Sequence, residues 1–237
     1  MPFIQAVPVT NLLLSALPSK DREQLIAKCE FIELDLGEVL YCIGEPMTQV
    51  YFPTGSFISV RAPSDGKGNL EVGLIGDEGM LGITLMLDIN VAPFQALVQG
   101  SGYALRLSTT SFNRTFEQSI ALQRVLKSYL YVSKSQLAQT SVCTRYHVIE
   151  ARLARWLLMA QDRARTDHFH VTHELIASIL GVRRVGITSA ANSLQQQKLI
   201  SYRRGDITII DRTGLEAVAC KCYRVDKEIY ERISKLR

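Results

Sequence analysis

The sequence predicts an α+β protein with three parts: an N-terminal β-roll or jelly roll, a long dimerisation helix and a C-terminal winged helix-turn-helix. Glycine and proline are distributed unevenly. Of the 15 glycines, 11 lie between Gly37 and Gly102, and all seven prolines lie at or before Pro93. The segment from Tyr103 to Leu180 contains neither residue. Because both residues favour turns and interrupt helices, we expect turn-rich β structure first and long helices after it.

The bulk composition is typical of a folded chain with two cores. With 237 residues, of which 47% are hydrophobic and 21% charged, the chain is not expected to be disordered. Residues 1–8 are too short and too uncharged for a secretory signal, and no apolar run has the length of a membrane span. A cytoplasmic location is therefore expected. We expect a β-roll sensor domain over residues 1–118, the dimerisation helix over 119–147 and the winged helix-turn-helix over 148–237.

Short strand-like runs separated by turn residues predict seven strands in the first region. The turns include Gly44–Pro46, Pro53–Gly55 and residues 65–68. Strands at this spacing indicate a barrel or jelly roll, and one short helix over about residues 11–28 is expected before it. The runs are Phe31–Asp35, Val39–Ile43, Gln49–Phe52, Phe57–Arg61, Leu70–Ile75, Gln95–Gln99 and Tyr103–Leu107.

One long helix is predicted from about Ser119 to Tyr146, after several possible N-capping residues at Ser108–Ser111. One small barrel cannot cover its whole length, so we expect it to pair with the same helix of a second subunit in a twofold dimer. Packing entirely within its own chain is the alternative. Its apolar and small positions follow a roughly heptad stripe at Leu122, Leu126, Tyr129, Leu130, Ser133, Leu137 and Thr140. A second amphipathic helix starts at Ile149 and presents Leu153, Trp156, Leu157 and Ala160 to a core.

The C-terminal third of the chain has the pattern of a winged helix-turn-helix. Two helical segments, Thr172–Leu180 and Val185–Gln197, flank a turn that contains Gly181. Ala177 provides the small residue that closely crossing helices need, and Ile187 provides an inward apolar anchor. Two strand-like runs then form a hairpin with a basic tip. The alternative is an ordinary helical hairpin followed by a β-hairpin, without DNA binding.

The outward face of the second helix and the tip of the hairpin carry side chains suited to DNA. The net charge is −3 over residues 1–140 and +7 over residues 141–237, so the basic excess falls on this half, as attraction to phosphate requires. Short and basic side chains at these positions can reach base edges or phosphates. The predicted DNA-binding residues are Arg183, Arg184, Val185, Thr188, Ser189, Asn192, Arg203 and Arg204.

The cysteines and histidines predict no metal site. Five cysteines are an odd number, and disulfides are not expected without an export signal. Cys220-Lys-Cys222 is too little for a zinc or iron–sulfur site without partners, so buried thiols are expected, although a redox role stays open. His168-Phe-His170 is interpreted as part of the loop before the DNA-binding helices rather than as a metal site. No catalytic residue and no cofactor are predicted.

A glycine-rich β-roll, a long helix and a winged helix, in that order, resemble the Crp/Fnr family of bacterial transcription regulators over nearly the whole chain. The most specific segments are Leu36–Glu45, which looks like the start of a cyclic-nucleotide-binding roll, and Ala151–Leu158 followed by His173–Ile200. The resemblance implies a homodimer on a pseudo-palindromic operator, with RNA polymerase as an expected partner. It also implies that an effector in the roll shifts the long helix and reorients the two recognition helices.

The effector pocket departs from the pattern of family members that bind cyclic AMP. In those proteins a Gly-Glu pair holds the ribose and an Arg pairs with the cyclic phosphate, whereas this chain has Gly82-Ile83 and Phe94-Gln95 at the matching positions. Leu137 and Ala138 stand where the family presents hydroxyls from the long helix. A phosphate buried without its cation would be destabilised by several kcal/mol. We therefore predict a degenerate pocket near Gly82, Ile83, Phe94 and Gln95 that does not bind cyclic AMP as the family does.

The other cofactors of the family are not expected either. The oxygen-sensing branch uses a cluster of N-terminal cysteines, but the N-terminal region here offers only Cys29 and Cys42. Haem needs axial ligands from the roll, and all four histidines lie beyond it. The roll thus binds some other, less polar molecule, or it binds nothing and the dimer is competent for DNA on its own; Ile83 and Phe94 slightly favour the second version.

The resemblance also predicts an altered DNA readout. Family members often present Arg, Glu and Arg along the recognition helix, where this chain has Arg184, Val185 and Ser189. Arg184 suits a guanine, Val185 suits a thymine methyl, and Arg183 and the wing arginines suit phosphates. We expect a sequence-specific regulator that cyclic AMP does not control. An enzyme is excluded by the lack of catalytic motifs, and an adaptor that uses the roll as a docking surface for another protein is the alternative.

Overall fold

The computed structural model describes residues 11–64 and 68–234. The proposed absence of a secretory signal in residues 1–8 and most of the predicted turn at residues 65–68 lie outside this part of the chain. Helices α1 (Leu12–Ser15) and α2 (Ser19–Ile26) open the described chain. The single helix expected over residues 11–28 is therefore wrong: Pro18 has no N–H to continue a helix and instead becomes the N-cap of α2.

The β-roll contains all seven predicted strands: β1 (Glu30–Leu34), β2 (Val39–Tyr41), β3 (Gln49–Pro53), β4 (Phe57–Ser64), β5 (Gly68–Ile75), β6 (Gln95–Gly100) and β7 (Gly102–Ser108). They form two antiparallel sheets with the orders β1-β7-β3 and β2-β6-β4-β5. Side chains such as Phe52, Ile58 and Val98 fill the core between them. The predicted β-roll is confirmed.

Helix α3 (Thr109–Gln118) leads from the roll into the long helix α4 (Ile120–Tyr146). The hydroxyl of Ser119 caps α4 by accepting a hydrogen bond from the backbone N–H of Leu122 at 3.1 Å. The first half of the predicted stripe, including Leu126 and Tyr129, is buried against the roll of its own chain. The second half of the stripe lines a cavity, where Leu137 remains exposed, and α4 also exposes Tyr131, Val142 and Tyr146 on another face.

The C-terminal region is mainly helical and contains a small sheet. Helix α5 (Ile149–Ala164) buries the four predicted core positions against the helices and strands that follow. His168–His170 is a strand, β8, and not the loop that was predicted, because it pairs with β10 of the wing in the order β8-β10-β9. The remaining elements are α6 (His173–Leu180), α7 (Arg184–Gln196), β9 (Ile200–Arg203), β10 (Asp206–Ile209), α8 (Arg212–Val218) and α9 (Cys222–Ser234).

The C-terminal region packs directly on the roll. Phe57 and Leu74 of the roll belong to the same apolar core as α5 and α6. The hydroxyl of Ser178 on α6 donates a hydrogen bond to the carbonyl of Asn69 on β5 at 3.0 Å. In the described parts of the chain, no helix is both long enough and apolar enough to cross a membrane.

Candidate DNA-binding surface and sensor cavity

The helix-turn-helix is formed by α6, a short turn and α7, as predicted. The hydroxyl of Thr172 caps α6 by accepting a hydrogen bond from the N–H of Leu175 at 3.2 Å. Gly181 ends α6 with a φ of +63°, in the left-handed region that glycine enters at low cost. Ala177 and Ile187 are buried where the two helices meet. These contacts fix the angle at which α7 leaves the turn.

Helix α7 exposes most of the predicted DNA-binding side chains on one surface. Arg183 is the N-cap of α7 and Arg184 its first residue, and both are exposed. Val185, Ser189 and Asn192 are also exposed. Most of the predicted set on this helix therefore lies together at the surface.

Thr188 is less available than the other predicted contacts. It is half-buried, its hydroxyl donates to the carbonyl of Arg184 at 3.2 Å, and Oγ1 lies 3.1 Å from Nδ1 of His173. The ring of His173 stacks on Tyr202 of the wing with centroids 4.2 Å apart. Burial and the nearby Arg184 charge lower the pKa of His173. The sequence did not indicate this His173 bridge between the recognition helix and the wing.

The wing is a tight hairpin whose tip is basic. Arg204 and Gly205 form a two-residue turn with φ values of +53° and +94° between paired Arg203 and Asp206. The ring of His170 lies over the turn, so a Cβ on Gly205 would come within 2.5 Å of it. His170 Nδ1 lies 2.9 Å from a carboxylate oxygen of Asp206. Arg203 and Arg204 are exposed, and the hairpin places them on the same domain as α7.

A cavity of about 490 Å³ lies between the roll, α4 and the C-terminal region. Ile83 and Phe94 line it, as predicted, together with Leu81, Leu130 and other mainly apolar side chains. Its volume lies within the usual range for a small-molecule site. The expected apolar character is present, but the cavity means that these side chains do not fill the interior.

Of the other two predicted pocket residues, Gly82 also lines the cavity and Gln95 does not. Gly82 has a φ of +101° at the start of a short 3₁₀ turn (Ile83–Leu87), and a Cβ there would lie 2.8 Å from the Tyr41 hydroxyl. Gln95 does not line the cavity: its side-chain oxygen accepts a hydrogen bond from Asn69 at 3.3 Å. The alternation of a β-strand explains this, because Phe94 and Ala96 line the cavity while Gln95 between them points the other way.

A buried carboxylate joins the roll to α5 beside this cavity. Glu71 of β5 accepts a hydrogen bond from Nε1 of Trp156 at 3.0 Å and another from the Ser59 hydroxyl at 2.5 Å. The guanidinium of Arg61 donates to the same hydroxyl at 3.1 Å. Burial raises the pKa of Glu71, and the two hydrogen bonds oppose that increase. The sequence did not single out this contact.

Comparison with known proteins identifies the C-terminal region. Residues 151–218 match the model of the Crp-like helix-turn-helix domain. This chain carries a Crp-like helix-turn-helix. No curated protein matches the chain. The Crp-like domain is that of a DNA-binding transcription regulator, which confirms the broad functional prediction.

Solved structures with the same overall fold cover most of the chain. One is the c-di-GMP-responsive global regulator CLP of Xanthomonas campestris, at 13% identity over 81% of this chain and 99% of that one, with a TM-score of 0.66. FixK2 of Bradyrhizobium japonicum has 13% identity over 81% and 98%, with a TM-score of 0.68. A CRP-family transcriptional regulator of Thermus thermophilus has 16% identity over 79% and 96%, with a TM-score of 0.67. The β-roll, long helix and Crp-like domain thus have the fold of Crp/Fnr regulators, as predicted.

The structure also brings together cysteines for which the sequence indicated no partner. Cys220, between α8 and α9, and Cys222, the first residue of α9, lie beside Cys143 and His147 at the end of α4. The assumption that Cys220 and Cys222 have no partners was therefore wrong. The signal was present in the sequence, because Cys143 and His147 are one helical turn apart. A hydrogen bond from Cys220, together with the Arg155 charge, lowers the pKa of the Cys143 thiol despite its burial.

Proposed function

We propose that the protein is a homodimeric, sequence-specific transcription regulator that binds a pseudo-palindromic operator and is not controlled by cyclic AMP. The observation that carries the proposal is the surface of α7. Arg183, Arg184, Val185, Ser189 and Asn192 are exposed together, in a domain that also bears a basic wing. The match of residues 151–218 to a Crp-like domain supports the proposal that this surface binds DNA. We place its action in the cytoplasm.

The proposed readout assigns different roles to these side chains. Arg184 is the guanine contact, because its guanidinium can donate to two acceptors in the major groove. Val185, 71% exposed, can contact a thymine methyl but accepts no hydrogen bond. Arg183, Arg203 and Arg204 hold phosphates and set the register. Among the described residues, Arg184 has a weak competitor in Glu174, whose exposed carboxylate lies 4.0 Å from its Nε.

A twofold dimer through α4 is supported by an uncovered face of that helix. Tyr131, Val142 and Tyr146 follow one another at helical spacing and are 56%, 44% and 73% exposed. Ser135 and Ala138 continue the same face with small side chains that let two helices approach closely. This face is distinct from the one that packs on the roll. Burial of such a face against a second copy places two recognition helices in one particle, which a pseudo-palindromic site requires.

The cavity supports a small, mainly apolar effector over the version in which the roll binds nothing. Phe94 lies in its wall where cyclic-AMP-binding family members have the phosphate-binding Arg. A cyclic phosphate there would face an aromatic ring in place of that Arg, because the cations that line the cavity, Lys134, Arg152 and Arg155, come from α4 and α5 and not from the roll. Leu130, Ser133, Leu137 and Thr140 of α4 line the same cavity, so an effector would contact the helix through which the dimer forms. RNA polymerase is the proposed partner of the DNA-bound dimer.

Binding of variants to a selected operator tests the proposal. Arg184→Ala should weaken each half-site by about 1–3 kcal/mol, which for both half-sites is roughly a 30-fold loss or more. Lys20→Ala is the matched control, because it removes one exposed positive charge on α2, within the roll. Fluorescence anisotropy on a labelled duplex measures both. Equal affinities for Arg184→Ala and Lys20→Ala would contradict the proposed readout and favour the adaptor that docks a protein on its roll.

A further inference from the structure

We propose that Cys143, His147, Cys220 and Cys222 form a tetrahedral site for one zinc ion. The ligand atoms of these four residues all lie within 4.8 Å of one another. All three cysteines are buried and none forms a disulfide. Three thiolates and one imidazole are a donor set that structural zinc sites use. The site is separate from the DNA-binding surface and does not depend on the proposed operator.

The distances within the group suit a single ion. The sulfurs of Cys143 and Cys220 are 3.5 Å apart, and the sulfur of Cys222 lies 3.5 Å from Nδ1 of His147. Around a tetrahedral Zn²⁺ with Zn–S bonds of about 2.3 Å, neighbouring sulfurs are separated by about 3.8 Å. The four ligand atoms therefore need to move little to surround an ion. An iron–sulfur cluster holds its thiolates farther apart, because several irons and sulfides stand between them, so this spacing disfavours it.

Polar groups around the four residues fit a charged centre. The side-chain amide of Gln139 donates a hydrogen bond to the sulfur of Cys222 at 3.0 Å, which stabilises a thiolate. Cys222 is also the first residue of α9, where the helix dipole favours negative charge.

The charge balance of the site is also favourable. Three thiolates with one Zn²⁺ leave a net charge of −1. Arg152 and Arg155 both interact electrostatically with Cys143 and Cys220, and Arg155 is itself held by Asp226 at 2.6 Å. The two guanidiniums exceed the one carboxylate, so the surroundings offset the negative charge of the loaded site.

The location of the site means that a bound ion would link two separate elements of the structure. Cys143 and His147 lie at the C-terminal end of α4, and Cys220 and Cys222 lie where α8 meets α9. A bound ion would join the end of the long helix to the segment that directly follows the Crp-like domain. Because structural zinc stabilises only the folded form, its binding free energy adds to the stability of this joint. We infer that the ion fixes the orientation of the recognition helix relative to the dimer axis.

Metal content and Co²⁺ substitution test the site directly. Protein purified under reducing conditions, with no metal added, should contain one zinc per chain by plasma mass spectrometry. After removal of zinc by a chelator, Co²⁺ should give the thiolate charge-transfer band and the intense visible bands of a tetrahedral thiolate site, and added Zn²⁺ should abolish them. A folded, reduced protein that lacks zinc and gives no such Co²⁺ spectrum would overturn the proposal, as would a Cys143–Cys220 disulfide in its place.

Variants separate a metal site from a cluster of buried thiols. His147→Ala removes a half-exposed ligand with little risk to the fold, and Cys222→Ser removes a buried one. Both should lose stoichiometric zinc and the tetrahedral Co²⁺ spectrum. Cys42→Ser is the matched control, since Cys42 is an exposed thiol in the roll and should keep one zinc per chain. Circular dichroism checks that each variant is folded. Unchanged zinc content in folded His147→Ala and Cys222→Ser would assign the ion elsewhere and refute the site.

Discussion

Replacing Trp156 with phenylalanine is expected to destabilise the contact between α5 and the roll, and to do so more strongly as the pH rises. Trp156 Nε1 donates to a buried oxygen of Glu71 at 3.0 Å, and phenylalanine leaves that oxygen without this donor. A hydrogen bond to a charged group is worth about 1.5–3 kcal/mol, against about 0.5–1.5 kcal/mol between neutral groups. The hydrogen bond therefore matters most when Glu71 is ionised.

The direction of the pH effect follows from the pKa of Glu71. Burial raises this pKa above its usual 4.5, so the buried carboxyl lowers stability by an amount that is absent below pH 4.5, grows as the pH rises from 4.5 to the raised value, and stays constant above it. The Trp156 hydrogen bond offsets part of that cost. Loss of this hydrogen bond should raise the pKa of Glu71 further. Once the carboxyl ionises, Trp156→Phe should destabilise the protein by about 1 kcal/mol more than it does at acid pH. The smaller ring costs the same packing energy at every pH.

Thermal and urea unfolding of wild type and Trp156→Phe between pH 5 and pH 9 measure the effect. The extra pH-dependent loss corresponds to roughly 2–4 °C in Tm for a chain of this size. Ser178→Ala is the control, because it removes a hydrogen bond to the neutral carbonyl of Asn69 across the same interface and should cost the same at each pH. A Trp156→Phe destabilisation that is constant, or that shrinks with rising pH, would refute the assignment of Glu71 as the titrating acceptor.

Three further predictions concern the dimer, the wing and the roll. Val142→Glu places a charge on the exposed face of α4 and should shift the protein from dimer to monomer in sedimentation velocity, whereas Lys20→Glu, an exposed position on α2 of the roll, should not. Gly205→Ala should lower Tm more than Gly44→Ala. Both glycines have positive φ, so each alanine costs about 1–3 kcal/mol of backbone strain, but only at Gly205 does the added Cβ also come within 2.5 Å of a ring. Millimolar cyclic AMP should leave Tm unchanged, and an increase of several degrees would contradict the role given to Phe94.

The sequence predicted most of the fold because its local signals agreed with the packing. Short strand-like runs separated by turn residues mark the strands, and the small Ala177 and the turn at Gly181 mark the helix-turn-helix. Such patterns depend on neighbours in the chain. The error at residues 168–170 has the opposite cause: three residues are too few for a periodicity, and their strand exists only because β10 offers its edge.

The parts of the site that the sequence missed depend on distant residues. Glu71 and Trp156 are joined only when α5 packs on β5, and Cys143 meets Cys220 only when α4 and α9 pack together. The cavity was not predictable, because Leu130 of α4 and Trp156 of α5 join Ile83 and Phe94 in its wall only when these helices pack on the roll. The shared exposure of most of the proposed DNA-binding residues was predictable because one helix, α7, presents them.

Selection from random duplex DNA by the purified protein, followed by sequencing, tests the central claim most directly. The protein is first shown to be a folded dimer, and the selection is run with no ligand and again with a mixture of small apolar molecules. We expect at least one condition to enrich a twofold-symmetric motif with one guanine anchor in each half-site. The same selection with Arg184→Ala should lose preference at that guanine. Failure to enrich any symmetric sequence under either condition would contradict the claim that this protein is a sequence-specific dimeric regulator.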